Sequence, residues 1–434
     1  MTYPGLMIWD YHYAKALEII AADIVHITGR LESGKAVNIL FIISTFLLSF
    51  HFSLTTLKMP KKRIALLLST ILILNPVVIC QMFTYYIDFS IYLYWINTIL
   101  ASINIVKKQD SIINYIILDF TVILAIGTKF NAFFIEGVII ALIIIGFYIF
   151  RYKSFVKSYT INIFFVGLIG AFIIGYHPYV TNWMLHGNPL YPLLGNPDID
   201  IMTPTTPPEF LESNRFLNFF SSVFSLTPMS YDTRKGGFGP VFGIILILCM
   251  ITLLLKVYKE KQIRILSYIM ISVIATCFIF EQAWWARYNP QLWLIVPLCY
   301  YELYKSNTRV TEIIRRILVI IVGVNSFVGI ANTIRLSSMM TIERKVLFNA
   351  LQGDSVFLYN SKINWIRQLE ENGVFVIDEE RKSKEYSDTV YIYGFKSDKY
   401  HYPFVKINKE KHDSILSITN QSMFHNLTLY LKQN

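Results

Sequence analysis

Ten stretches of the chain are apolar with little interruption, at 37–57, 64–80, 89–106, 112–127, 132–150, 161–177, 238–256, 265–281, 290–304 and 317–333. A helix that crosses a bilayer needs about 20 such residues, and several of the ten fall short of that. The polar segments between them alternate in character. KMPKKR (58–63), KKQD (107–110), RYKSFVKS (151–158), KVYKEKQIR (256–264) and KSNTRVTEIIRR (305–316) together hold 17 Lys and Arg and three acids, Asp110, Glu260 and Glu312. QMFTYYID (81–88), GTKFNA (127–132), the long segment 178–237 and EQAWWARYN (281–289) hold only five Lys and Arg. Loops rich in Lys and Arg stay on the cytoplasmic side. The alternation therefore predicts an all-α polytopic protein of about ten transmembrane helices, integral to the cytoplasmic (inner) membrane, with the second set of loops outside.

This sidedness places residues 1–36, 178–237 and 334–434 in the extracytoplasmic space. It also leaves the chain starting outside with no span before it. Either the N-terminus is translocated unaided or a first helix precedes Met1; the reading expects the helix, giving eleven spans. Residues 1–333 then form the transmembrane domain, with outer loops 1–36 and 178–237. In 11–28, Leu17, Ile20, Ala21, Ile24 and Ile27 recur at helical spacing, with Lys15, Glu18, Ala22 and His26 opposite. That is the pattern of an amphipathic helix lying in the interface. Pro and Gly in HGNPLYPLLGNPDID (186–200) and TPTTPPEF (203–210) exclude a long helix there, and an irregular loop of this length is usually functional. SNRFLNFFSSVFS (213–225) reads as a short interfacial helix. Residues 334–434 form a small α+β tail, with strands at VFLYN (356–360), GVFVID (373–378) and TVYIYGF (389–395) and a helix at NWIRQLEEN (364–372). It carries no catalytic motif.

Composition agrees with a membrane protein. Of 434 residues, 54% are apolar and 16% charged, and the mean hydropathy is +0.47. Soluble domains carry roughly 25% charged residues. A soluble enzyme, a disordered chain and a disulfide scaffold are excluded. The net charge of +10 is smaller than the surplus held by the inner loops alone, so the rest of the chain is slightly acidic. The excess reports orientation and gives no support for nucleic acid. Cys80, Cys249, Cys277 and Cys299 lie in or at the ends of apolar runs without metal-type spacing, as lipid- or core-facing residues.

Five outer segments carry the chemistry. They are WDYHY (9–13), TYYIDF (84–89) with Asp88 at a span entrance, GTKFN (127–131) with Lys129, EQAWWARYNPQLW (281–293) with Arg287 beside Trp284, Trp285 and Tyr288, and HGNPLYP (186–192). A carboxylate can take a proton from an acceptor hydroxyl or bind a divalent cation. Lys and Arg can hold a phosphate or diphosphate leaving group. Tyr and Trp faces can stack on sugar rings. The set fits glycosyl transfer from a lipid-phosphate sugar at a membrane surface.

WDYHYAKALEII, TYYIDF, GTKF, HGNPLYPL and WWARYNPQLWLIVPL, in that order, resemble the polytopic, lipid-linked-sugar-dependent glycosyltransferases of the GT-C fold, among them the dolichyl-phosphate-mannose, aminoarabinose and rhizobial types. The resemblance covers about residues 5–300 and rests on order and sidedness more than on any one motif. It implies a membrane enzyme that moves a sugar from a polyprenyl-phosphate donor to an extracytoplasmic lipid or glycan acceptor of the cell envelope. Asp10 matches the family's first outer acid, the catalytic base or an acceptor or metal ligand. Asp88 matches a second acid, and Lys129 and Arg287 match cations near the lipid phosphate. His12, Tyr85, Tyr86, Trp285 and Tyr191 would complete the substrate site. A divalent cation, Mg2+ or Mn2+, would sit between Asp10 and Asp88 if the reaction uses one. The chain departs from the family in lacking the helix before Asp10.

Each residue also has a plainer reading. Asp10 can be merely solvated, and Asp88 can cap the helix that starts near 89. Lys129 can snorkel to the interface. Arg287 can pair with Glu281, and Trp284 and Trp285 can belong to an aromatic belt. His12, His177 and His186 show no metal spacing and read as interfacial or loop residues. Two other classes stay open. An O-antigen-type polymerase or ligase shares the large outer loop, though this loop has only Arg215, Arg234 and Lys235 as cations. A transporter or non-catalytic scaffold would place charges near mid-span.

Overall fold

The computed structural model describes residues 12–107, 111–192, 194, 206–259, 263–306, 308–353, 355–359, 363–377, 389–391 and 404–406. They divide into two compact units. One comprises His12–Ile27 and Ser33–Thr333; the other takes in Thr28–Glu32 and the residues from Ile334 on.

Up to residue 351 the regular structure among the described residues is helical. The order is α1 (Ala16–Thr28), α2 (Ala36–Thr55), α3 (Lys62–Ile73), α4 (Pro76–Gln81), α5 (Asp88–Val106), α6 (Ser111–Thr128), α7 (Phe130–Ile149), α8 (Lys153–Ile169), α9 (Thr181–His186), α10 (Pro208–Leu211), α11 (Arg215–Val223), α12 (Phe242–Lys259), α13 (Ile263–Thr276), α14 (Ile295–Ser306) and α15 (Arg309–Leu351). Among the described residues five helices are long and apolar enough to cross a membrane: Leu31–Thr55, Asp88–Val106, Phe130–Ile149, Lys153–Ile174 and Arg309–Met339. Three shorter apolar helices are Ile112–Thr128, Phe242–Tyr258 and Ile265–Thr276. Their exposed faces are those of a membrane protein. In and just beyond α8, Ile161, Phe164, Phe165, Phe172 and Ile173 are all exposed. In water such a patch would drive association, whereas lipid accepts it.

The five long helices are fewer than the ten apolar runs, and the reason is local. The run at 64–80 is cut by Asn75–Pro76. Pro76 has no N–H to continue the ladder but suits the first position of a new helix. Asn75 caps that helix, its Oδ1 accepting from the Val77 N–H at 2.8 Å. The carbonyls left bare at the end of α3 are satisfied from elsewhere. Trp293 Nε1 donates to the Ile71 carbonyl at 2.8 Å and the Tyr92 hydroxyl to that of Leu72 at 2.9 Å. Asn75 Nδ2 donates to the Pro290 carbonyl at 2.8 Å. The run at 290–304 likewise opens as 3₁₀ turns, Pro290–Leu294, before α14.

The hub of this unit is α5, nearly all of it buried, with α2, α4, α6 and α7 packed around it. Its Phe89, Tyr92, Leu93, Tyr94 and Trp95 are enclosed, as are Phe238, Phe242 and Trp293 nearby. A helix buried on all sides is apolar all round except where a polar group finds a partner. The expected helix at 11–28 begins at Ala16 and buries Ala16, Leu17, Ala21 and Val25, whereas Ile27 points out. All four cysteines are buried and free.

In the other unit a four-stranded sheet has the order β2-β1-β4-β3, with β1 at Ser355–Tyr359, β2 at Phe375–Ile377, β3 at Thr389–Tyr391 and β4 at Phe404–Lys406. β1 and β2 run parallel, and the helix Ile363–Glu371 (α16) makes the crossover that a parallel pair requires. β4 is antiparallel to both β1 and β3.

Candidate functional site

A cluster of charge forms where α5 and α7 begin, next to the 3₁₀ turn Ala286–Tyr288. Asp88 is the first residue of α5, and its side chain makes no helix cap. It is buried, and its Oδ1 accepts from Lys129 Nζ at 2.7 Å. Lys129 is the extended residue between α6 and α7, 8% exposed. Arg287 Nη1 stands 3.8 Å from Asp88 Oδ2 and 3.1 Å from Asp232 Oδ1. Asp232 in turn accepts from Arg234 Nη2 at 3.1 Å and from the Tyr86 hydroxyl at 3.5 Å. Among the described residues, two carboxylates and three cations leave the cluster with a surplus of one positive charge.

Aromatic faces enclose it. The Arg287 guanidinium lies 3.9 Å from the ring centre of Trp285 and that of Arg234 4.5 Å from the same ring. Lys129 Nζ is 5.8 Å from the Tyr288 ring, and Arg287 is 5.5 Å from that of Tyr86. Cations over aromatic faces gain most when both are out of water. A small cleft here is lined by Val77, Gln81, Tyr231, Thr233, Trp285 and Arg287, among others. Trp285 Nε1 and Arg287 Nε are both buried with no hydrogen-bond partner among the described residues. Two donors beside the cleft are therefore unspent.

The backbone explains the convergence. Gln81, at the end of α4, accepts from the Phe89 N–H at 2.9 Å and donates to the Tyr231 carbonyl at 3.0 Å. It ties the start of α5 to the loop that carries Asp232 and Arg234. That loop passes close to Ala286 at Gly237, whose φ is +94° and whose added Cβ would stand 2.9 Å from that of Ala286. Only glycine takes this conformation and this approach without strain. Gly236 N–H donates to Ser222 Oγ at 2.7 Å, which also bonds the Trp284 carbonyl, so α11 holds both loops.

The electrostatics follow from burial and pairing. Burial, the largest single effect, would lower the Lys129 ammonium, but the Asp88 carboxylate together with the Tyr13 and Tyr288 phenols outweighs it and the group is raised. Arg287 is raised in the same way, burial opposing and Asp88 and Asp232 prevailing. Burial, with Asp232 adding, pushes the Tyr86 phenol up to about 12. Burial also raises Tyr13, with Lys129 opposing, which marks Tyr13 as a neighbour of the cluster.

Of the residues expected from the sequence, Asp88, Lys129, Tyr86, Trp285 and Arg287 come together. Asp10 lies outside the described residues. His12 and Tyr191 belong to a separate group: His12 Nδ1 meets Asn182 Oδ1 at 2.6 Å, and the rings of His186 and Tyr191 stack at 3.8 Å. Tyr85 lies under Lys35, 5.5 Å from its Nζ. The plainer readings are corrected in two places. Ile87, not Asp88, occupies the cap position, and Arg287 pairs with Asp88 and Asp232 in place of Glu281. Asp232 was not anticipated, and Arg234 stood out only as one of three cations in the large outer loop; in the sequence both are ordinary charges in a long polar segment.

The surroundings of Asp88 do not suit a divalent cation, because each carboxylate oxygen faces a positive group. Among the described residues no group of three or more His, Cys, Asp and Glu is placed to hold a metal ion. No protein-family model, curated protein or solved structure matches the chain.

Proposed function

We propose that the protein is a membrane glycosyltransferase of the GT-C type, using a polyprenyl-phosphate-linked sugar and an extracytoplasmic lipid or glycan acceptor. In this reading all ten apolar runs are accommodated in the membrane, broken ones included, and the α+β tail is an outer appendage. The observation that carries it is the surplus positive charge of the Asp88–Lys129–Arg287–Asp232–Arg234 cluster, walled by Tyr86, Trp285 and Tyr288. Such a site is complementary to a phosphate: Arg287 and Trp285 have N–H groups to spare, and the Trp285 ring keeps both guanidiniums flat and oriented. Asp88 holds Lys129 and Arg287 in register for the leaving phosphate. Asp10 is the base that takes the acceptor's proton.

The test uses the full chain in lipid with a radiolabelled polyprenyl-phosphate sugar and short-chain polyprenyl phosphate as a competitor. Arg287→Ala is expected to weaken donor binding by roughly tenfold or more, the loss of one charge-assisted contact. Asp10→Ala is expected to abolish transfer while leaving polyprenyl phosphate binding intact. Full transfer by Asp10→Ala removes the base assignment, and wild-type protein that ignores polyprenyl phosphate removes the whole reading. One observation favours an O-antigen-type polymerase or ligase as the second reading: Arg234, from the large loop, joins the cluster. That class predicts preference for a lipid-diphosphate oligosaccharide over the monophosphate sugar in the same assay.

A further inference from the structure

The run FNAFFIEGVIIALIIIGFYI of α7 is the most apolar of the candidate spans, yet it contains Glu136. The residue is 1% exposed. It shares a buried stripe with Ala132, Ile135, Ile139 and Ile140, so it faces protein, not lipid. Thr98 of α5 donates to its Oε1 at 2.5 Å. Its Oε2 is buried and has no hydrogen-bond partner among the described residues.

Around Glu136 the bundle offers hydroxyls. On α5, Ser90, Tyr94, Thr98 and Ser102 recur every four residues and so line one face. The Tyr94 hydroxyl meets Thr128 Oγ1 at 3.1 Å, and Ser102 Oγ meets the Tyr159 hydroxyl of α8 at 2.8 Å. Tyr94 and Tyr159 are the ones that interact with Glu136 electrostatically. Asp119 of α6 is bonded by Asn162, and Tyr268 of α13 donates to the Leu142 carbonyl. Asp88 of α5 and Lys129, seven residues before Glu136, are paired with each other. Lys153 and Lys157 of α8 are exposed. No ion pair to Glu136 is present among the described residues.

A charged carboxylate inside a membrane-spanning bundle requires a counter-charge or several donors. Glu136 has one neutral donor. We infer that Glu136 is an intramembrane proton-binding site: a carboxylic acid whose carbonyl oxygen is held by Thr98 and whose second oxygen carries the proton. The site's ligand is the proton itself, and its loss would place a negative charge at a depth where the membrane field acts on it. The inference does not depend on the transferase reading.

Infrared difference spectroscopy on the full chain in lipid at neutral pH tests it. Subtracting the Glu136→Gln spectrum is expected to reveal the carbonyl-stretch band of a protonated carboxyl, lost in the variant. Thr98→Val, which removes the donor to that carbonyl, is expected to shift the band to higher frequency. Loss of ionised-carboxylate bands in place of the protonated band would overturn the proposal. So would a protonated band that Thr98→Val leaves unmoved. Should Glu136→Gln fail to assemble, the Thr98→Val spectrum carries the test alone.

Discussion

Lys129 and Asp88 show how two side chains can each look unremarkable and become consequential once buried together. The pair is nearly dry, with side-chain exposures of 10% and 4%. Removing one partner strands a charge, which costs about 3–5 kcal/mol in buried pairs, whereas removing both costs far less. Lys129→Met is therefore expected to lower thermal stability in detergent sharply. The double variant Lys129→Met with Asp88→Asn is expected to recover most of the loss, and additive effects of the two changes would contradict the pairing. Tyr86 gives a pH signature. Its phenol is raised by burial to about 12 from an ordinary value near 10. A raised acid favours the folded state fully below its unfolded value and loses that contribution as pH climbs through the folded one. Wild-type stability is expected to fall more steeply between about pH 10 and 12 than that of Tyr86→Phe, as followed by unfolding in buffered alkali. Residues such as Asp88, Lys129 and Arg287 were legible in the sequence because charge is scarce beside apolar runs, so each stands out. Asp232 and Arg234 were not, because a polar loop of this length makes charge look ordinary. Glu136 escaped for the opposite reason: the apolar residues on both sides make the run read as a plain span.

At the scale of elements, the apolar pattern located the helices but could not show which were continuous. Asn75–Pro76 reads as a small interruption in a hydrophobic run, yet it ends one helix and starts another. What makes the break tolerable lies far away in the chain, in Tyr92, Pro290 and Trp293. No periodicity links those positions to 71–75. Asn75→Ala removes both the cap on α4 and the donor to the Pro290 carbonyl. It is expected to destabilise by about 1–3 kcal/mol, the range for leaving a buried polar group without its partner. Hydrogen exchange should show the loss first in α4 and in the 3₁₀ turns of 290–294. Faster exchange confined to α4 would mean that the long-range bond contributes little.

For the whole molecule, the alternation of basic and neutral loops makes a prediction that every span must satisfy together. Ser154 lies in the basic segment 151–158, at the start of α8, and Glu209 in the long neutral segment, and both are exposed. Because the four native cysteines are buried, single cysteines introduced at these positions are expected to be the reactive ones. A membrane-impermeant thiol reagent added to intact cells should label Glu209→Cys and spare Ser154→Cys until the membrane is opened. Labelling of both from one side would break the alternation. The tie between Asn75 and Pro290 also bears on how the protein is made. The two residues are 215 positions apart. At translation rates of about 5–20 residues per second, the Asn75 amide waits roughly 10–40 s for its acceptor to be synthesised. The Ile71 carbonyl waits as long for Trp293. During that interval the Asn75 amide and the Ile71 carbonyl lack these partners, and they gain them only when residues 290–293 arrive. Nascent chains stopped before residue 290 should therefore be a natural substrate for the membrane's quality-control proteases.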